Sequence, residues 1–197
     1  YWMVLWCSMA ITFISCNDVT VPKPRGYPRL DQPADSFEPW TGACPFTAEV
    51  PTYARMTVRA NAGMEDLSTS SASDTVCWSS LRFAHQRATV FMTYRRINGD
   101  LPELIDDAHA FKDKHEAKAA RIRSERILRD TARVFGNLFD VDGDVASPIV
   151  FYLTDSTSHF LYGSLYFDTR PNGDSLQPAT DRIRSDVRHF AQTVKWR

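Results

Sequence analysis

One stretch late in the chain, from Ser147 to Thr154, carries apolar side chains at nearly every position. A strand with one face in solvent alternates apolar and polar residues, whereas a strand covered on both faces is apolar almost throughout. This stretch therefore predicts a strand that is covered on both faces. Such a strand belongs inside a sheet on which other elements pack, and no other segment restricts the fold as strongly.

Further strands are predicted on both sides of one long helix. Short segments rich in β-branched and aromatic residues predict strands at Phe46 to Val50, Tyr53 to Ala60, Val76 to Phe83, Ala88 to Ile97, Arg133 to Val141 and His159 to Phe167. The third and fourth of these segments form a predicted hairpin. The turn Asn98-Gly99-Asp100 precedes a helix that begins near Leu101 and reaches about Arg121 to Arg123. The tract from there to Asp130 is ambiguous between helix and strand.

A second helix is predicted near the C-terminus. Pro178 suits the first turn of a helix, and Ile183, Val187, Phe190 and Val194 recur every three or four residues as one apolar stripe. The order of strands, helix, strand meander and helix predicts an α+β fold, with two main helices packed on an antiparallel sheet. In outline this arrangement resembles the Mog1/PsbP-like fold.

The first fifteen residues carry no charge. A membrane-spanning helix needs about 20 apolar residues, so Tyr1 to Ser15 is too short to span a bilayer and fits the apolar centre of a secretory signal peptide. The basic segment that opens such peptides is missing, and the chain begins with Tyr1 rather than Met. We therefore expect a truncated N-terminus.

The apolar run ends in a pattern typical of bacterial lipoprotein signals. Its last residues are Phe13-Ile14-Ser15-Cys16, with Phe13 in place of the more common Leu. After cleavage behind Ser15, the thiol of Cys16 would carry the diacylglyceryl group, and palmitate is an expected acyl chain. The alternative is a buried N-terminal strand with an incidental cysteine.

A proline-rich segment follows Cys16. Pro22, Pro24 and Pro28 favour an extended chain, because proline fixes φ and donates no hydrogen bond. The predicted organisation is a lipoprotein signal peptide (1–15), an extended tether (16–29) and a single α+β domain (30–197).

The charges of the chain are balanced. Lys and Arg number 23 and Asp and Glu number 24, for a net charge of −1. A protein that binds nucleic acid concentrates basic residues to neutralise phosphates. Nucleic acid is therefore not an expected partner, and aromatic residues at 12% of the chain argue against disorder.

Asp155, Ser156 and His159 lie within five residues and carry the side-chain types of a hydrolase triad. Triad members normally come from separate loops that converge on a pocket. Asp and Ser in a turn between strands usually bond nearby backbone amides instead. We therefore predict a structural turn and no catalytic residue.

Metal ligation is not expected either. Asp140, Asp142 and Asp144 alternate as in a calcium loop, but an EF-hand needs Gly at its sixth position and Glu at its twelfth. Val145 and Phe151 occupy those positions. No metal and no other cofactor is predicted.

Charged residues alternate in sign along the last predicted helix. Arg182, Arg184 and Arg188 are interleaved with Asp181 and Asp186. This pattern predicts a solvated face. A docking surface for a partner is the alternative.

Several short motifs, in order along the chain, carry a family resemblance. They are Cys16-Asn17-Asp18, Pro22-Lys23-Pro24-Arg25-Gly26-Tyr27, Cys44-Pro45-Phe46, Cys77-Trp78, Phe151-Tyr152-Leu153-Thr154-Asp155-Ser156, His159-Phe160-Leu161, Gly163-Ser164-Leu165-Tyr166-Phe167, Pro171-Asn172 and Asp174-Ser175-Leu176, before a final helix with Trp196. The chain resembles the gliding motility lipoprotein GldD family of Bacteroidetes over essentially its whole mature length. It departs from the family pattern at Tyr162, where Arg is expected, and in a longer Ser-rich loop at 68–73.

The resemblance implies a cell-envelope lipoprotein that gliding requires and that is linked to type IX secretion. The expected partners are other gliding and type IX secretion envelope proteins, and the expected location is a membrane, preferably the outer membrane facing the periplasm. No enzymatic activity is carried over. Two alternatives remain: an envelope hydrolase that uses Asp155, Ser156 and His159, and a small-ligand-binding lipoprotein, which would need a sizeable apolar pocket.

The chain has four cysteines. Cys7 leaves with the signal peptide and Cys16 is acylated, so Cys44 and Cys77 remain to form the only disulfide. The envelope is oxidising enough to maintain such a bond. The alternative is a pair of buried free thiols.

Overall fold

Ten strands and two helices make up the part of the chain that the structure describes. The structure is a computed structural model, and it describes residues 34–59, 76–116 and 119–197. The strands are β1 (Phe37–Thr41), β2 (Phe46–Pro51), β3 (Arg55–Arg59), β4 (Val76–Phe83), β5 (Ala88–Arg96), β6 (Ala119–Arg129), β7 (Val134–Gly143), β8 (Ile149–Thr154), β9 (His159–Phe167) and β10 (Lys195–Trp196). The helices are α1 (Leu101–Glu116) and α2 (Gly173–Thr193), and a 3₁₀ turn spans Asp130–Ala132.

The strands form two antiparallel sheets. The main sheet has seven strands in the order β3-β4-β5-β9-β8-β7-β6, and a small sheet has the order β1-β2-β10. The predicted hairpin is confirmed as β4 and β5, which pair from Val76↔Arg95 to Phe83↔Ala88. The predicted α+β class, an antiparallel sheet with two main helices packed on it, is confirmed.

Strand β8, which lies between β9 and β7 in the main sheet, is buried at all six positions. Phe151 and Leu153 lie in the main hydrophobic core, together with apolar residues of α2 such as Phe190. Val150 and Tyr152 point to the opposite face, where apolar residues of α1 pack on them. The apolar run therefore corresponds to a strand covered by one helix on each face, as expected of a strand with no polar side.

The first helix is shorter than predicted. It ends at Glu116, and the tract that we expected to continue it to Arg121 to Arg123, ambiguous up to Asp130, is strand β6. This strand pairs with β7 from Ala119↔Gly143 to Arg129↔Val134. Its Ala, Arg and Glu residues favour a helix when taken alone, but pairing along nearly the whole length of β7 outweighs that preference.

The second helix begins before the predicted position. It starts at Gly173, because the Asn172 side chain accepts a hydrogen bond from the backbone N–H of Ser175 at 3.0 Å and so caps the helix. Pro178 lies inside the helix and does not open it. Trp196, expected in the final helix, belongs to strand β10 instead.

Three predicted segments lie outside the described residues. They are the signal peptide (1–15), the tether (16–29) and the Ser-rich loop (68–73), and they remain predictions. Neither helix in the described part of the chain combines the length and the apolar character needed to cross a bilayer.

Candidate functional site

The turn between β8 and β9 holds the three residues of the suspected triad. Asp155 is 8% exposed, and its Oδ1 accepts hydrogen bonds from the backbone N–H groups of Thr157, Ser158 and His159 at 2.9, 2.8 and 2.8 Å. Its Oδ2 accepts a hydrogen bond from the Thr157 hydroxyl at 2.8 Å. Burial alone would raise the pKa of Asp155, but these donors outweigh burial and lower the pKa to about 2. The carboxylate therefore holds its own turn together.

His159 and Ser156 point to separate surroundings. His159 Nδ1 lies 2.8 Å from the Tyr94 hydroxyl, and its ring stacks on Trp196 with centroids 5.1 Å apart. Burial lowers the pKa of His159. Ser156 is exposed, and the cavity of about 520 Å³ beside this described turn is lined by Asp155 and His159 but not by Ser156. The three side chains therefore do not meet in one pocket, as the members of a catalytic triad do.

A disulfide links the two sheets. Cys44 lies just before β2 of the small sheet, Cys77 lies in β4 of the main sheet, and both side chains are buried. The structure joins their sulfur atoms, with a Cα–Cα distance of 5.6 Å that lies within the usual range for such a bond. Whether the cell oxidises this pair stays a prediction.

The arginines of α2 do not form a solvated face, so that prediction was wrong. The Arg182 side chain is 10% exposed and the Asp186 side chain is 1% exposed. Arg182 Nε donates a hydrogen bond to the Tyr53 hydroxyl at 3.0 Å, and this hydroxyl donates in turn to Asp186. Burial raises the pKa of Asp186, against the effect of Tyr53 and Arg182. These groups fix α2 to the chain before β3.

The remaining charged residues of this region also serve the packing. Arg184 forms an ion pair with Asp140 at 2.5 Å, and Arg188 forms one with Glu125 at 2.6 Å. Asp144 accepts a hydrogen bond from the backbone N–H at the start of α2 at 2.8 Å. Among residues 34–59, 76–116 and 119–197, no group of three or more His, Cys, Asp or Glu side chains could hold a metal ion.

A second cavity, of about 580 Å³, lies at the start of α2. Its lining includes Asp142, Asp144, Asn172, Asp174 and Arg184. Pockets for small ligands are mostly apolar with a few polar groups. A wall with this many charged and amide side chains does not favour the small-ligand alternative.

Among the described residues, α1 packs on β6, β8 and β9 and leaves the same face of the main sheet open over β3, β4 and β5. The strand register aligns three rows of side chains that run from this open part onto β9, where Tyr162 packs beside residues of α1. The rows are Arg55–Arg82–Thr89–Tyr166, Thr57–Ser80–Phe91–Ser164 and Arg59–Trp78–Thr93–Tyr162. We call these twelve residues the open sheet face. Ser80, Thr89 and Ser164 within these rows are buried.

Three aromatic side chains cross the open sheet face diagonally. Trp78, Phe91 and Tyr166 lie on the neighbouring strands β4, β5 and β9, each one row from the last. Trp78 is 39% exposed and Phe91 is 41% exposed, and the rings of Phe91 and Tyr166 are 6.0 Å apart. Hydroxyl groups lie between them and the sheet edge, where Thr57 and Ser80 are hydrogen-bonded at 2.8 Å.

Arginines flank this aromatic line on the side of β3. The guanidinium of Arg59 lies 5.8 Å from the centre of the Phe91 ring. Arg82 forms an exposed ion pair with Asp168 at 2.8 Å. Within the described part of the chain, neither Arg55 nor Arg59 forms an ion pair with a carboxylate.

The chain matches a known protein family over nearly its whole length. The model of the gliding motility lipoprotein GldD family matches residues 17–196. The chain belongs to this family. The GldD resemblance predicted from the motifs is confirmed, and membership implies a membrane-anchored lipoprotein of the cell envelope that serves gliding motility. No curated protein and no solved structure matches the chain, so the Mog1/PsbP-like resemblance is not shown.

Sequence reasoning about this GldD-family chain missed the open sheet face. Two family motifs contain residues of its aromatic line, namely Trp78 and Tyr166. A sequence motif, however, does not show which residues lie on the same face of a sheet. The predicted hairpin could have indicated part of this face, because successive side chains of a strand point to opposite faces of the sheet. The pairing of Trp78 with Thr93, one row from Phe91, requires the register, which only the structure supplies.

Proposed function

We propose that this GldD-family lipoprotein is a non-catalytic binding component of the gliding apparatus. In this proposal it works with type IX secretion proteins and sits on the periplasmic side of the outer membrane. The observation that supports a non-catalytic role is the Asp155 carboxylate, whose oxygens bind three backbone N–H groups and one hydroxyl of its own turn. A triad aspartate would orient the histidine ring instead.

The proposed attachment to the membrane is through Cys16. The uncharged run from Tyr1 to Ser15 and the prolines after Cys16 support cleavage and lipidation at this cysteine. One acyl chain binds a bilayer only marginally, whereas two or more anchor a protein stably. A diacylglyceryl group on Cys16 would therefore keep the domain at the membrane.

Replacing Cys16 tests this proposal, with Cys7 as the matched control. Cys16→Ala should leave the chain unprocessed or release it from membranes, and gliding should be lost. Cys7→Ala removes a thiol from the segment that is discarded, so processing and gliding should be normal. Intact-mass measurement of the native protein should give a chain that begins at an acylated Cys16. An uncleaved, unlipidated native chain would contradict the proposal, and so would gliding supported by Cys16→Ala.

A further inference from the structure

Large exposed hydrophobic side chains cluster on one part of the molecule. Trp78 and Phe91 are more than a third exposed and belong to the same diagonal line on the open sheet face. Within the described ranges, the other large hydrophobic side chain of this kind is Leu128, on the opposite edge strand β6. Aromatic residues and arginines are the types most enriched at the centres of protein interfaces. The open sheet face combines both.

The charge of this face differs from that of the whole chain. The net charge of the chain is −1, yet Arg55, Arg59 and Arg82 all lie on the β3 side of the aromatic line. Arg55 and Arg82 are directly opposite each other in the register of β3 and β4. Asp168 pairs with Arg82 at 2.8 Å and offsets its charge. Arg55 and Arg59 form no ion pair with a carboxylate of the described residues, so these two cations favour an acidic ligand.

We propose that the open sheet face docks an extended acidic segment of a partner protein. This inference rests on the proposed function, since a binding component needs a surface for its partner. The diagonal from Trp78 to Tyr166 crosses three strands and is roughly 15 Å long, which matches about five residues of extended chain. Alternate side chains of such a segment would place apolar groups on the aromatic line and carboxylates beside Arg55 and Arg59.

The shape of the face favours a protein segment over a bilayer. Membrane-binding side chains insert their apolar parts several ångström into the headgroup boundary. Trp78 and Phe91 instead lie more than half buried on the sheet, among the hydroxyls of Thr57, Ser80 and Thr93. A surface with hydroxyl groups between aromatic rings suits contact with another polypeptide.

The test measures binding of designed peptides to the full chain in detergent. Three fluorescent ten-residue peptides are compared by anisotropy: alternating Glu with Leu or Phe, the same peptide with Lys for Glu, and the same peptide with Ser for Leu and Phe. We expect the first to bind best. The double variant Arg55→Glu with Arg59→Glu should weaken its binding by about tenfold or more and should improve binding of the Lys peptide.

The matched control reverses two exposed arginines on β6, at the opposite edge of the main sheet, Arg121→Glu with Arg126→Glu. It has the same net charge as the patch variant and should bind the acidic peptide within about twofold of the unsubstituted chain. Thermal unfolding checks that both variants are folded. A second patch variant, Trp78→Ser with Phe91→Ser, should weaken binding of the acidic peptide by about tenfold or more without changing charge.

Three results would overturn the inference. They are no preference for the acidic peptide, equal weakening in the patch and control variants, and stronger patch-dependent binding to phosphatidylglycerol vesicles or to an anionic polysaccharide. A gliding assay of the variants distinguishes failure of this inference from failure of the proposed function. If patch variants glide normally while Cys16→Ala does not, the docking surface is refuted and the lipoprotein role stands.

Discussion

Asp155→Asn removes the charge that holds the turn between β8 and β9 while keeping the size of the side chain. The pKa of Asp155 falls from the ordinary 3.8 to about 2 in the folded chain. Each pKa unit corresponds to about 1.4 kcal/mol, so the charge contributes about 2 kcal/mol to stability at pH 7. Because Asp155 is almost fully buried, solvent screening reduces this value little. A domain of this size should lose about 4 to 8 °C in Tm.

The pH dependence of the Asp155→Asn effect identifies its cause. A carboxyl group whose pKa is lowered by folding stabilises the folded chain above its unfolded pKa, and the contribution is lost as the pH falls through the folded value. The difference in unfolding free energy between the original chain and Asp155→Asn should be full above about pH 5. It should fall to about half near pH 3.

Urea unfolding at pH 7, 5 and 3 measures this difference. Asp106→Asn is the control, because Asp106 is exposed on α1, and its effect should stay within about 0.5 kcal/mol at each pH. A difference for Asp155→Asn that stays constant from pH 7 to pH 3 would refute the reasoning. A variant as stable as the original chain at pH 7 would refute it as well.

Other contacts give predictions of different size. The double variant Cys44→Ser with Cys77→Ser opens a loop of sequence separation 33 and should lose about 3 to 4 kcal/mol in the chain-entropy model, measured by urea unfolding with and without reductant. Asp186→Ala removes the buried acceptor of the Tyr53 hydroxyl while Arg182 keeps its ion pair with Asp35, and should cost about 1 to 3 kcal/mol. Glu125→Ala breaks a half-exposed ion pair and should cost under about 1 kcal/mol. Gly136→Ala would place its Cβ 1.9 Å from a backbone oxygen of β8, so circular dichroism should detect a lower Tm.

The sequence predicted the central elements of the fold because their side chains follow a simple pattern. Strand β8 is apolar throughout and is indeed covered on both faces. The hairpin of β4 and β5 joins two β-rich segments through a connection of only four residues, 84–87. The count of cysteines left after signal-peptide cleavage and acylation predicted a bond between Cys44 and Cys77. The structure places the Cα atoms of these two residues 5.6 Å apart.

Strand β6 could not be predicted, since most of the side chains that face α2 are polar and only Ile127 among them is buried in the core. Arg123 pairs with Asp140, Glu125 pairs with Arg188, and Arg129 donates hydrogen bonds to carbonyl oxygens at the end of α2. Ion pairs and hydrogen bonds therefore attach this strand to its neighbours at positions where other strands use apolar contacts. The sequence of β6 consequently shows no alternation of apolar and polar residues. The same long-range pairs explain why the arginines of α2 looked solvated in the sequence.

The open sheet face depends on the register between strands that are distant in sequence. Tyr166 lies beside Phe91 only because β9 pairs with β5. Charge balance over the whole chain also conceals the local excess of arginine on β3. Both features need the three-dimensional arrangement.

The account rests on the claim that this lipoprotein binds without catalysing a reaction, and gliding complementation tests that claim most directly. Ser156→Ala and His159→Ala remove the only nucleophile and base of the suspected triad. The account predicts that each variant, shown to be folded and membrane-bound, restores gliding to a strain that lacks the protein. If both variants are stable and membrane-bound and yet neither restores gliding, the binding role is contradicted and the turn is an active site.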